Sequence, residues 1–142
     1  MAPKQSLLDR LTPDEVICVE SFGPGVSGGL RADETSFIEG SVESRRHEFA
    51  AVRSCAREAL GVLGAPVGSI LPGPGGAPVW PNGVVGSMTH CAGFRAAAVA
   101  PSRSVFAIGI DAEVNEHLPD GVAPEIAYPS ELARLDRFPD RE

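Results

Sequence analysis

The sequence predicts an α+β fold in which one long helix packs on a small antiparallel sheet. Three observations carry that expectation. Residues 44–64, "SRRHEFAAVRSCAREALGVLG", place Phe49, Val52, Ala56, Leu60 and Leu63 at helical spacing. Downstream, "VVGSMTH", "FRAAAVA" and "SVFAIGIDAEV" are short apolar segments separated only by "CAG" and "PSR"; connections that short favour antiparallel neighbours over crossovers. A chain of 142 residues with 43% apolar composition also has enough material for one real core.

Taken in chain order, "SLLDRLTPDEVICVESF" reads as a short helical turn followed by an extended segment, with Thr12-Pro13-Asp14 as the break. "GPGVSGGL" is a flexible connection. The long helix comes next, with Ser44 placed to cap its start and Gly64 and Pro66 to end it. "LPGPGGAPVWPNG" is a loop of turn formers that brings in the only Trp. The three apolar segments then follow as strands, the last ending in Asp111 and Glu113. On a strand alternate side chains share a face, so these two carboxylates point the same way. They repel, and tolerate each other only in solvent, beside cations or around a metal ion. The tail, "LPDGVAPEIAYPSELARLDRFPDRE", is Pro-broken and acidic, without an obvious final core element.

Composition narrows the function classes. A formal charge of −7 argues against a broad nucleic-acid surface, which needs a net basic face, so an anionic ligand must be met by local basic clusters. Gly and Pro together make 29 residues, loop-rich but below the level of a disordered chain. Cys18, Cys55 and Cys91 are odd in number and widely spaced, which indicates reduced thiols and neither a disulfide framework nor a zinc knuckle. No apolar run is long enough to span a bilayer, and "MAPKQSLLDRL" lacks the order of a signal peptide, so a cytoplasmic protein with no membrane partner is expected.

Local basic clusters exist. Arg46, Arg53 and Arg57 fall within one narrow sector of the helix, with Arg45 at its margin, since steps of seven and four residues return to nearly the same side. A solvated face with Glu48 and Glu58 as partners is the plainer reading of the same stripe. Ser87, Thr89 and His90 lie on the first of the three segments and would be carried toward the acidic pair by a neighbouring strand. Carboxylates, imidazole, hydroxyls and arginines together are the inventory of a site for a magnesium-bound polyphosphate. Hard oxygens suit Mg²⁺, and guanidinium forks neutralise phosphate.

The same residues carry a family resemblance. "RRHEFAAVRSCAREALGVLG", "PVWPNGVVGSMTHCAGFRAAAVA" and "IGIDAEV" resemble, in order and spacing, the blocks of the larger, two-lobed 4′-phosphopantetheinyl transferases of the bacterial siderophore-synthase branch. "LLDRLTPDEV" and "LPDGVAPEI" resemble that family's flanking segments. The resemblance implies transfer of the phosphopantetheine arm of coenzyme A to a serine of an apo acyl or peptidyl carrier protein, with release of 3′,5′-ADP. It implies that Arg45, Arg53, Ser87, Thr89 and His90 bind coenzyme A, that Asp111 and Glu113 hold Mg²⁺, and that Glu113 and His90 are the catalytic residues.

Two departures accompany it. The family's Phe/Trp-x-x-Lys-Glu-x-x-x-Lys block is absent before the sequence ends at "RFPDRE", and "LPGPGGAPVWP" offers no basic residue to a phosphate. The expected organisation is thus an N-terminal lobe over residues 1–103 and the incomplete beginning of a second lobe over 104–142. Half a site would be presented, and a non-catalytic remnant or half-enzyme binding coenzyme A or a carrier protein is the alternative. A small metal-dependent hydrolase using His90, Asp111 and Glu113 is the weakest reading, because no water-activating base is evident.

Overall fold

The computed structural model describes residues 6–24, 29–135 and 137. A 3-10 turn at Leu8–Arg10 leads into strand β1, Ile17–Phe22, as the turn-then-extended reading expects. Glu20 of that strand reaches back to accept the Leu8 N–H at 2.6 Å and the Leu7 N–H at 3.2 Å, so the turn is tied to the strand it precedes. A short helix α1, Ala32–Thr35, and a 3-10 turn precede the long helix α2, Glu43–Leu63. Strands β2, Val84–Cys91, and β3, Phe94–Pro101, form a hairpin. Two short helices, α3 at Ala123–Ile126 and α4 at Pro129–Leu135, lie in the tail.

Helix α2 spans nearly the residues that its periodicity predicts. Its end is as expected: Gly64 adopts φ 75°, a left-handed conformation that only glycine takes without strain, and Ala65 N–H donates to Leu60 O at 3.0 Å. Its start is not. Val42 is the N-cap and Ser44 lies inside the first turn, so no side chain caps the helix.

The sheet has three antiparallel strands in the order β1-β3-β2, which corrects the expected strand set. The third member is β1, and residues 104–114 pair in no ladder. They cross the sheet's second face: Ile110 N–H donates to Ser87 Oγ at 3.1 Å and Ala112 N–H to Thr89 Oγ1 at 3.0 Å. Side-chain hydroxyls of β2 thus take the amides that a neighbouring strand's carbonyls would otherwise accept.

Strand β3 is central, and its run "AAAVA" is buried throughout because both faces are covered. On one face Ala97 and Val99 meet Cys55, Ala56, Ala59 and Leu60 of α2, with Ile70, Trp80 and Met88 closing the core. On the other, Ala98 and Ala100 meet Val16, Val85, Val105, Ile108 and Ile110. Alanine is a poor strand former by propensity. Here its small side chain lets a helix and a chain segment both approach the same strand.

Trp80 lies against β2 at Gly86, where a Cβ would fall 2.8 Å from the indole Cε2 and Cζ2 and 2.9 Å from Ala98 O. The backbone oxygen cannot move aside without disturbing the ladder. Gly86→Ala therefore destabilises the fold by about 1–3 kcal/mol, read as a lowered midpoint of urea unfolding with the slope unchanged. An unaltered midpoint would show that the indole swings clear.

Candidate functional site

Helix α2 stacks Arg45, Phe49 and Arg53 one above another, because residues four apart share a helix face. That row walls a cleft of about 1010 Å³ whose other sides are Phe37, the loop 72–78, strand β2 through Gly86, Ser87, Met88 and His90, and Ile108. The volume is at the upper end for a small-molecule site. Two backbone bonds fold the loop on itself, Gly73 N–H to Ala77 O at 2.7 Å and Val79 N–H to Leu71 O at 2.8 Å.

Arg53 is the fixed cation of this cleft. It is 5% exposed; Nε donates to Ile70 O at 2.8 Å, Nη1 donates to Phe49 O at 3.4 Å, and the guanidinium carbon lies 3.3 Å from the centroid of the Phe49 ring. Burial pushes its pKa down to about 10; the carboxylate of Glu34 opposes that shift and the charge of Arg57 adds to it. Arg53 therefore stays charged at neutral pH while paying for its desolvation, and an anion in the cleft would relieve that cost. Arg45 is exposed at the mouth.

The arginine stripe is divided by the tertiary structure. Arg57 turns to Glu34, donating through Nη1 at 2.8 and 3.1 Å, and to Gly29 O through Nη2 at 3.2 Å. Glu34 is fully buried and also accepts the N–H groups of Ile70 at 2.8 Å and Arg31 at 2.9 Å. Arg46 is exposed and lies outside the cleft lining. Neither Glu48 nor Glu58 serves as a partner of the stripe: Glu48 instead faces His90, Oε2 to Nε2 at 3.3 Å.

The remaining expected residues separate by strand parity. His90 lies on the helix-facing side of β2 with Met88, whereas Thr89 lies on the opposite side, buried under residues 110–112. Ser87 Oγ meets the same overlying segment. Asp111 Oδ1 accepts the Thr89 hydroxyl at 3.4 Å and the Ala112 N–H at 3.0 Å. Asp111 and Glu113 are exposed while Ile110 and Ala112 are half-buried, so the alternation expected of a strand survives without a ladder. The structure thus joins Thr89 and Asp111 on one face of β2 and gathers Arg45, Arg53 and His90 on the other, while Ser87 bonds the overlying segment and also lines the cleft.

Among the described residues no group of three or more His, Cys, Asp or Glu side chains is arranged to hold a metal ion. Asp111 and Glu113 alone suit a cation such as Mg²⁺, which takes one or two carboxylates and completes its shell with phosphate and water. Sequence reasoning missed Glu34 and Phe49. The Phe49 contribution was legible in its spacing of four residues from both Arg45 and Arg53; nothing local signals Glu34, which lies 23 residues before its partner Arg57.

Residues 33–100, which contain α2, β2 and most of α1 and β3, match the family model of the 4′-phosphopantetheinyl transferase N-terminal domain. Residues 33–100 thus carry the N-terminal domain of the 4′-phosphopantetheinyl transferases. The chain is 58% identical over 102 residues to the 4′-phosphopantetheinyl transferase Svp of Streptomyces mobaraensis, a match covering 72% of this chain and 42% of the relative. It is 50% identical over 105 residues to PptT of Mycobacterium tuberculosis, covering 74% of this chain and 46% of the relative. Against Npt of Nocardia iowensis it is 52% identical over 98 residues, covering 69% and 44%. The chain thus spans less than half the length of the curated relatives it matches. Among the described residues of this phosphopantetheinyl transferase domain, no helix is long and apolar enough to cross a membrane.

Proposed function

We propose that the cleft between α2 and β2 seats the phosphates of coenzyme A, and that the chain serves the cytoplasmic transfer of its 4′-phosphopantetheine arm to a serine of an apo acyl or peptidyl carrier protein. One observation carries this reading. Arg45, Arg53 and His90 converge on one cleft in a domain of the transferase family. The two guanidinium groups neutralise phosphate charge, with Arg53 already oriented by Phe49 and Ile70.

In the reaction the carrier serine oxygen bonds to the β-phosphorus, the bond to the bridging oxygen breaks, and 3′,5′-ADP leaves. Glu113 is the proposed acceptor of the serine proton, and His90 a donor to the phosphate oxygens. Asp111 and Glu113 would hold Mg²⁺, which supplies neutralisation of charge building on the pyrophosphate. Ser87 and Thr89, in this account, act by holding the backbone of residues 110–112 and thereby the two carboxylates. Residues 1–103 are the proposed N-terminal lobe and 104–142 the beginning of a second.

Purified chain, apo carrier protein, coenzyme A and Mg²⁺ test the reading by intact mass. The carrier is expected to gain one phosphopantetheine arm; a carrier that stays apo excludes catalysis by this chain. A second reading, a half-enzyme that binds coenzyme A without transfer, is favoured by the placement of Asp111 on the side of β2 opposite His90. Calorimetry separates the two: coenzyme A binding with no gain of carrier mass supports the second.

A further inference from the structure

We infer that Glu48 is an internal counter-anion for His90, holding the imidazole across the cleft and yielding it to an entering phosphate. The inference rests on the reading of the cleft as the seat of a phosphorylated ligand, and it adds a specificity-determining residue to that site.

Four side chains lining the cleft ionise, namely Arg45, Glu48, Arg53 and His90, and Glu48 is the one carboxylate among them. Its Oε2 lies 3.3 Å from His90 Nε2, a link that spans the cleft from helix to strand. The cationic neighbours make no such pair: among the described residues Arg45 has no ion-pair partner, and the bonds of Arg53 go to carbonyl oxygens. The carboxylate thus stands beside the imidazole nitrogen that a phosphate oxygen would approach. It also repels any anion that approaches the arginines.

The pair is built to be given up. Its side chains are 46% and 40% exposed, so water can solvate both partners as they separate. By contrast the buried Glu34–Arg57 pair is held by a carboxylate with no exposure at all. A multiply charged phosphate that also engages Arg45 and Arg53 outcompetes Glu48, whereas a single weak anion does not. The carboxylate therefore sets a threshold that favours polyphosphate ligands over monoanions.

Glu48→Gln, His90→Ala and the double variant, titrated calorimetrically with coenzyme A and with inorganic pyrophosphate, test this. Removing the charge of Glu48 is expected to tighten binding about two- to fivefold, the scale of an exposed ion pair, and to give less gain where His90 is already absent. Weaker binding by Glu48→Gln, or an equal gain with and without His90, overturns the proposal. The His90 side-chain ¹⁵N resonances of the ligand-free protein provide a readout that needs no ligand: they shift in Glu48→Gln if the pair exists. Unchanged resonances with ligand binding intact overturn the counter-anion role alone. Absence of binding by every form overturns the ligand reading of the cleft, and this role with it.

Discussion

Glu34→Ala lowers the stability of this protein by about 3–5 kcal/mol, the range for leaving a buried charge network without one partner. The carboxylate has no solvent exposure and ties α1 both to α2 and to the chain before β2. It accepts Arg57 Nη1 at 2.8 Å, Ile70 N–H at 2.8 Å and Arg31 N–H at 2.9 Å. Alanine leaves the Ile70 amide buried and unsatisfied and strands the guanidinium of Arg57, which is only 13% exposed. The consequence extends to the cleft. Ile70 donates its backbone N–H to Glu34 and accepts Arg53 Nε at its carbonyl oxygen, so loosening this residue frees the cation that walls the site. Thermal unfolding followed by circular dichroism reads the first effect. A melting temperature within a degree or two of wild type would mean that water replaces the carboxylate, and the keystone role would be lost.

With the proposed seat for coenzyme A, Arg53→Ala weakens binding of that ligand by about 10- to 100-fold, the worth of a charge-assisted hydrogen bond in a desolvated setting. Arg53→Lys recovers only part of that loss. Lysine keeps the charge but cannot lay a planar fork on the Phe49 ring while donating sideways to Ile70 O. Calorimetry on both variants, with circular dichroism as the check on folding, measures the difference. Full affinity in the lysine variant would reduce the residue to a point charge, and full affinity in the alanine variant would move the phosphate elsewhere in the cleft.

Much of the architecture is legible in the residues themselves. Helical spacing from Phe49 to Leu63 places α2, Gly64 ends it, and the two apolar runs around "CAG" form the β2–β3 hairpin. The error at residues 104–114 has a physical cause. "VFAIGIDAEV" alternates as a half-buried strand does, and it keeps that alternation in the fold. Its amides, however, bond to the hydroxyls of Ser87 and Thr89 rather than to a strand's carbonyls, and periodicity cannot distinguish these partners. Conversely β1 takes its place in the ladder although it lies more than 60 residues before the hairpin.

Local patterning, then, determined the long helix and the β2–β3 hairpin, which residues carry charge, and the likeness of three blocks to one transferase family, because these depend on neighbours within a few positions. Tertiary structure alone decided which arginine faces the cleft, which is bound to a buried glutamate, and that His90 and Asp111 stand on opposite sides of one strand. Those outcomes turn on the strand order of the sheet and on the face each neighbour covers, and no spacing along the chain encodes either.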